Sequence, residues 1–119
     1  MDLVQHVANE FNVDAGQAER GLGWIFTSVR LAIEPEAYRP IKSAFPDSDA
    51  WMSRAMAGGR TGEMLALMGA ETLEQNLKST GFSDAQIPAL FTTVREALRQ
   101  HVTQELLDQI ADKVTVLQG

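Results

Sequence analysis

Apolar residues recur along this chain at alternating spacings of three and four positions, the period of an amphipathic α-helix. The clearest run consists of Ala18, Leu22, Ile25, Val29 and Ala32. Asp14 and Gln17 precede it with the spacing of a capping box, in which two side chains bond each other's backbone amides. This pattern predicts a core helix that ends near residue 33.

Shorter patterns lie on both sides of this helix. The apolar spacing predicts a first helix over about residues 3 to 10, with Asp2 as its N-cap. A third helix is predicted to begin at Pro35, because proline is well tolerated in a first turn, and to end near Phe45. Pro40 lies inside this segment and has no amide hydrogen, so it predicts a late start or a kink.

The second half of the chain continues the helical pattern. A short helix is predicted over residues 50–57, where it is stopped by two glycines. Residues 61–79 predict either one helix or two, because a glycine interrupts them and Thr72 begins a fresh capping box. Two further helices are predicted, with N-caps at Ser83 and Thr103.

The two halves of the chain also resemble each other in sequence. Phe26-Thr27-Ser28-Val29 matches Phe91-Thr92-Thr93-Val94, and the caps before them, Asp14 and Ser83, fall in corresponding places. The offset between the halves changes by four residues on each side of this match, about one helical turn. Duplication of a three-helix unit is the natural explanation.

These observations predict an all-α fold. We expect a single domain, residues 1–119, forming a bundle of six to eight helices built from two copies of a three-helix unit. The first copy would cover about residues 2–46 and the second about 71–117, joined by a helical connector over about 47–70. The copies are expected to pack face to face, with pseudo-two-fold symmetry, around the helices that carry the matching sequences.

Three segments of the chain resemble a known bacterial family. Residues 11–18 read Phe-Asn-Val-Asp-Ala-Gly-Gln-Ala, Phe45-Pro46-Asp47 forms a corner before the connector, and residues 81–86 read Gly-Phe-Ser-Asp-Ala-Gln. These three segments are similar to the VcgC/VcgE-type bacterial domain of unknown function. The connector departs from the family by carrying Met and Trp in place of Gly and Ala. The resemblance implies a bacterial, helical protein and transfers no site.

Composition excludes several classes of function. The formal net charge is −6 and no basic run occurs, which disfavours nucleic acid as a partner because phosphate binding depends on Lys and Arg. The absence of cysteine excludes disulfides, thiolate nucleophiles and iron–sulfur clusters. No stretch has the ~20 apolar residues of a membrane span and no signal peptide is recognisable, so we expect a cytoplasmic protein.

The two histidines are the main candidates for metal ligands. His6 and Glu10, like His101 and Glu105, are four residues apart, a spacing that places both groups on one helix face. Such pairs are common on solvated faces, and Thr103 is expected to break the helix within the second pair. We therefore predict no metal site.

Other motifs do not predict catalysis. Gly21-Leu22-Gly23 follows no predicted strand, so close packing of helices explains it better than dinucleotide binding. Most serine and threonine residues lie at predicted caps, and no nucleophile is paired with a base in the sequence pattern. The sequence predicts a non-enzymatic protein with no cofactor.

The connector is the segment with the most functional character. It carries Trp51 and every methionine after the first; these methionines are Met52, Met56, Met64 and Met68. Flexible thioethers suit an adaptable apolar surface for a partner helix or an acyl chain. The alternative, that these side chains close the end of the core, is favoured by about two to one. Trp24 and Leu31 are expected to widen the apolar face for dimer contact.

The function predicted from these observations is a binding or protein–protein interaction module. Its candidate site is the connector, and its expected partner is another protein or a second copy of the chain. The alternative is a small carrier that holds an apolar small molecule in a cavity between the two units.

Overall fold

The computed structural model describes residues 3–57, 70–114 and 117, and over these residues it contains seven α-helices and no strand. Their bounds are α1 Leu3–Phe11, α2 Ala15–Ala32, α3 Pro35–Ala44, α4 Ser48–Ala57, α5 Ala70–Thr80, α6 Gln86–Arg99 and α7 Gln104–Lys113. The prediction of an all-α fold is confirmed. The predicted cap at Asp2 and the segment 58–69 lie outside the described residues.

Hydrogen bonds confirm three of the predicted N-caps. The Asp14 carboxylate accepts the Gln17 amide at 2.7 Å, and the Thr103 hydroxyl likewise accepts an amide of the first turn of α7. Before α6, the Ser83 hydroxyl accepts the Gln86 amide, while the Gln86 side-chain oxygen accepts the Ser83 amide at 2.9 Å. This reciprocal pair has the bonds of a capping box, and its Ser83 lies three residues before Gln86, the first residue assigned to α6.

The structure decides two local points. The sequence leaves open at Thr72 whether residues 61–79 form one helix or two, and α5 already includes Ala70, so Thr72 lies within the helix rather than at its N-cap. Pro40 was predicted to delay or kink α3; the late start is wrong, because the helix begins at Pro35 and includes Pro40, and the kink stays a prediction. Pro35 is well tolerated at the start, since a first-turn residue needs no amide donor.

Helix α2 forms the centre of the fold. It packs on α1, α5 and α7, and most extensively on α4, which belongs to the connector. The ion pair between Arg54 of α4 and Glu19 of α2 joins the same two helices. The sequence had predicted that α2 and α6 would pack around each other, but α6 packs mainly on α1, α5 and α7. The connector therefore occupies the face of α2 that was assigned to the second unit.

The core contains nearly all the apolar positions that define the helical periodicity, together with a residue that the periodicity did not select. Phe82 follows α5 in a turn and is only 2% exposed. Its ring meets Phe11 edge-on at a centroid distance of 6.3 Å and packs on the α-carbon of Gly21. An apolar residue at this place after a helix commonly packs back on the helix's last turns.

Equivalent hydrogen bonds recur in the two halves of the chain. At the ends of α1 and α5 the backbone turns through positive φ, at Asn12 and Gly81, and the next amide bonds a carbonyl five residues back. The amide of Val13 donates to the carbonyl of Ala8, and in the second half the amide of Phe82 donates to the carbonyl of Leu77. In the same way, the bond from Phe45 to Ile41 corresponds to the bond from Val114 to Ile110. Each member of the second half lies 69 positions after its counterpart, as 82 lies after 13. This constant offset needs no insertion.

The constant offset aligns the central helices differently from the sequence match. It places Leu22 of α2 opposite Phe91 of α6, whereas the sequence match placed Phe26 there. The two alignments differ by about one turn, and residues four apart lie on the same helix face. The apolar stripe alone therefore cannot distinguish them, and the hydrogen bonds at the helix ends favour the constant offset.

Two glutamines join the halves in a reciprocal way. The Gln86 side-chain amide donates to the carbonyl of Phe11 at the end of α1, at 3.1 Å. Gln17 occupies the matching position in the first half, and its side-chain amide packs against Gly81 at the end of α5. Each of these glutamines thus reaches the end of a helix in the other half of the chain.

Candidate functional site

Trp51, the first candidate residue of the connector, lies in the core. Trp51 is 5% exposed, and its ring meets the Phe26 ring edge-on at a centroid distance of 5.4 Å. Phe45 completes this aromatic cluster, 5.3 Å from Phe26 and 6.4 Å from Trp51. Such edge-on contacts stabilise a core beyond the burial of area alone.

The remaining candidates of the connector are placed only in part. Met52 is 4% exposed and is also a lining residue of a surface groove. Met56 lies on α4, although its side chain is not among those described, and Met64 and Met68 lie outside the described residues. The structure thus brings Trp51 and Met52 together in the core and leaves the role of the other methionines as a prediction.

A groove lies beside Met52 on the surface of the fold. It lies between the C-terminal end of α2, the following turn, α3 and α4, and encloses about 950 Å³ while remaining open to solvent. Its lining residues are Thr27, Arg30, Leu31, Ile33, Pro35, Tyr38, Arg39, Lys42, Asp49, Met52 and Ser53. A space of this size is at the upper end of what small-molecule sites occupy.

Positive charge is concentrated in this groove. It contains Arg30, Arg39 and Lys42, three of the ten basic residues of a chain whose net charge is −6. Lys42 pairs with Asp49 at 3.2 Å, which also joins α3 to α4. Neither Arg30 nor Arg39 forms an ion pair with any residue that the structure describes. The guanidinium groups of Arg30 and Arg39 are therefore exposed in the groove. Its one acid, Asp49, is already paired with Lys42.

An apolar side chain stands at the edge of the groove. Leu31 is 60% exposed and is the one large hydrophobic residue that is exposed in the described part of the chain. Ile33, half-buried, and the buried Met52 add apolar surface beside it. An exposed leucine alone is ordinary, but one that continues into a concave apolar surface is typical of a contact site.

The floor of the groove is held by a buried polar pair. The Tyr38 hydroxyl donates to the hydroxyl of Ser48 at 3.1 Å, and both side chains are buried. Burial raises the pKa of Tyr38 above its ordinary value of 10.0, and Asp49 raises it further, while the bond to Ser48 and the charge of Arg30 oppose the rise. The phenol is therefore neutral at physiological pH, and its hydrogen bond to Ser48 joins α3 to α4.

A second, smaller concave surface lies between the two halves of the chain. It encloses about 410 Å³ and includes both histidines, His6 on α1 and His101 after α6. His6 pairs with Glu10 at 3.1 Å, and the Glu10 carboxylate also accepts the Thr93 hydroxyl. His101 stands edge-on to Phe45, 5.3 Å from its ring centre. We call this surface the crevice.

The crevice has both polar and apolar lining, and its two histidines raise the question of a bound metal ion. Among the residues that the structure describes, no group of three or more histidines and acids could hold one. Glu96, which also lines the crevice, pairs with Arg99 at 3.1 Å. Glu10 and Glu96 thus have intramolecular partners, and the bond from Thr93 to Glu10 joins α6 to α1.

The sequence did not predict the groove, and its prediction for Trp24 was wrong. Trp24 was expected to widen an exposed apolar face, but it is 4% exposed and its indole N–H donates to the Thr80 hydroxyl on α5 at 3.1 Å. Leu31 alone stays on the surface. The pattern contained Arg30 and Leu31 side by side at the end of α2, but only the tertiary structure brings Arg39 next to them.

Comparison with known proteins adds no family to this picture. Searches against protein-family models, curated proteins and solved structures found no significant match. The resemblance to the VcgC/VcgE-type domain therefore stays a prediction. In the described part of the chain, no helix has the length and apolar character needed to cross a membrane.

Proposed function

We propose that this chain is a non-enzymatic binding module that recognises a protein partner through the groove between α2, α3 and α4. The observation that supports the proposal is the combination of two guanidinium groups without ion-pair partners among the described residues and an exposed leucine on one concave surface. Arginine combined with apolar side chains is characteristic of the surfaces that dominate protein interfaces.

The architecture that carries this groove is proposed to arise by duplication. The two copies are the three-helix units of about residues 2–46 and 71–117, and the connector between them supplies α4, one wall of the groove. The constant offset of 69 positions between equivalent hydrogen bonds supports this proposal, as do the reciprocal glutamines Gln17 and Gln86. A bacterial origin, a cytoplasmic location and a homodimer remain predictions.

The second candidate is a carrier of an apolar ligand held between the two units, and it has less support. The concave surface that lies there is the crevice, whose apolar lining residues Leu3, Phe45 and Ala97 are mixed with polar ones. The polar side chains include His6, Glu96, Gln100 and His101. An apolar ligand would remove these polar groups from water without replacing their hydrogen bonds, which is unfavourable. The groove, with its apolar edge, suits binding better.

The proposal is tested by photo-crosslinking in cells of the source organism. A photoreactive phenylalanine is placed at Leu31 in the groove and, as a control, at Asp108, an exposed residue of α7. We expect a discrete crosslinked species from position 31 that is lost when Arg30→Glu and Arg39→Glu are added, and no such species from position 108. Identical patterns from the two positions, or none at position 31, would remove the support for the groove as the binding surface.

A further inference from the structure

We infer that the occupant of the groove is an acidic peptide segment of a partner protein that also carries a large apolar side chain. This inference deepens the proposed function and rests on it. The apolar side chain would contact Leu31 and Ile33 beside Met52, while carboxylates of the segment bind the guanidinium groups of Arg30 and Arg39.

The charges of the groove favour a carboxylate-bearing partner. Arg30 and Arg39 make no ion pair with a described residue, whereas Lys42 is engaged by Asp49 at 3.2 Å. A guanidinium group presents paired donors that match the two oxygens of a carboxylate. The side chains that line the groove carry three positive charges and one negative charge, although the whole chain is acidic.

The apolar side of the groove favours a segment that carries an apolar side chain in addition to its charges. Leu31 is 60% exposed in the free chain, which means that most of its surface remains to be buried by a partner. Ile33 and Met52 extend that surface inward, and the flexible thioether of Met52 can adjust to the shape of an entering side chain. Purely anionic ligands would leave this apolar area in water.

Size and charge together separate a peptide from other anions. A volume of about 950 Å³, open along one side, is larger than a phosphate or a simple metabolite needs and admits several residues of an extended or helical segment. Nucleic acid is disfavoured because a duplex would meet only three groove cations on a chain of net charge −6. An acidic peptide satisfies both the guanidinium groups and the apolar edge.

The experiment is selection from a random linear peptide library displayed on phage, using the full chain as bait. Enriched peptides are synthesised, and their affinities are measured by fluorescence anisotropy for the wild-type chain and for three variants. The charge variant is Arg30→Glu/Arg39→Glu, and the apolar variant is Leu31→Ser. The matched control is Arg99→Glu/Lys113→Glu, which makes the same change in net charge on α6 and α7. Thermal unfolding of each variant verifies that it is folded.

We expect enriched peptides to contain an excess of Asp and Glu and at least one large apolar residue. Their affinity should fall by about tenfold or more in the charge variant, because like charges then face each other across the interface, and should change little in the control. It should also weaken when ionic strength rises from about 0.1 M to about 1 M, which shortens the Debye length from ~10 Å to ~3 Å.

Other outcomes overturn the inference in distinguishable ways. Neutral or basic peptides whose affinity falls in Leu31→Ser but not in the charge variant would overturn the acidic partner and leave the groove as a protein-binding surface. Peptides unaffected by either groove variant, or no enrichment, would overturn the inference, and in the first case the proposed function as well. Displacement of the selected peptides by inorganic phosphate at constant ionic strength would assign the groove to a small anion.

Discussion

The carbonyl oxygen of Trp51 lies directly against the α-carbon of Gly23, at the point where α4 crosses α2. A Cβ atom on residue 23 would overlap that oxygen and its carbon, and would also crowd the methyl group of Ala55. Only glycine allows two helices to approach so closely. The second glycine of Gly21-Leu22-Gly23 is therefore a packing device, and it brings α4 against α2 to form one wall of the groove.

The first prediction concerns this contact. Gly23→Ala should lower the free energy of unfolding by about 1–3 kcal/mol, because overpacking forces the helices apart and the obstructing atom belongs to the backbone. The same change in an unobstructed helix would raise stability by up to ~1 kcal/mol. Urea unfolding followed by circular dichroism measures the difference.

Gly16→Ala is the matched control for that experiment. Gly16 is in the first turn of the same helix, where a Cβ would meet only the ends of two side chains, Asp14 and Arg20, at 3.3 and 3.5 Å. We expect this variant to be neutral or slightly stabilised. Equal behaviour of the two alanine variants would contradict the close approach of α2 and α4.

The second prediction separates a core residue from a surface residue of the candidate site. Trp51→Ala should cost about 3–5 kcal/mol of stability, since it removes a buried ring that contacts Phe26 and Phe45. Leu31→Ser should change stability by less than about 0.5 kcal/mol, because Leu31 is largely exposed. Chemical denaturation of both variants provides the comparison, and a small loss in Trp51→Ala would mean that the ring is not part of the core.

The third prediction uses the equivalent caps of the two halves. Asp14→Ala and Ser83→Ala each remove a side chain that accepts a first-turn amide, so each should cost about 0.5–2 kcal/mol. Ser79→Ala, at an exposed position within α5, serves as the control and should have little effect. Thermal or urea unfolding measures all three. A neutral Ser83→Ala would show that the capping box before α6 does not stabilise the fold.

The fourth prediction concerns stability at alkaline pH. In the unfolded chain Tyr38 ionises near its ordinary pKa of 10.0, whereas burial raises the pKa of the folded phenol above that value. The folded state then keeps the proton that the unfolded state loses, so this contribution to stability is complete below pH 10 and is lost as pH rises from there through the folded pKa.

Tyr38→Phe tests this sign. At neutral pH the variant should lose about 1 kcal/mol through the missing bond to Ser48, and above pH 10 its stability should decline less steeply than that of the wild type. Unfolding measured at several pH values from about 8 to about 11 spans the window. Because Tyr38 is the single tyrosine of the chain, its tyrosinate absorbance reports its titration directly. Parallel pH curves for the two proteins would count against the raised pKa.

Part of the candidate site was within reach of sequence reasoning. The pattern marked Leu31 as an apolar residue beside the main stripe of α2, and it identified Trp51 and Met52 as unusual residues of the connector. It favoured the core over the surface for the Trp and Met cluster, and Trp51 and Met52 lie in the core. It could not show that Met52 also lines a groove. Nor could it bring Arg39 of α3 beside Arg30 of α2, since that pairing depends on the angle between two helices.

The sequence by itself determined that the described part of this protein is all-α and where α2, α6 and α7 begin, whereas it did not determine the start of α5. Local interactions decide these features, as the bonds of Asp14, Ser83 and Thr103 illustrate, because a cap acts within three residues of its own position. Only the tertiary structure decided which helix covers α2 and which charged side chains share one surface. Those features depend on contacts between residues distant in sequence, such as Gly23 with Trp51. The apolar pattern cannot predict them, because residues four apart lie on the same helix face and allow more than one alignment of two helices.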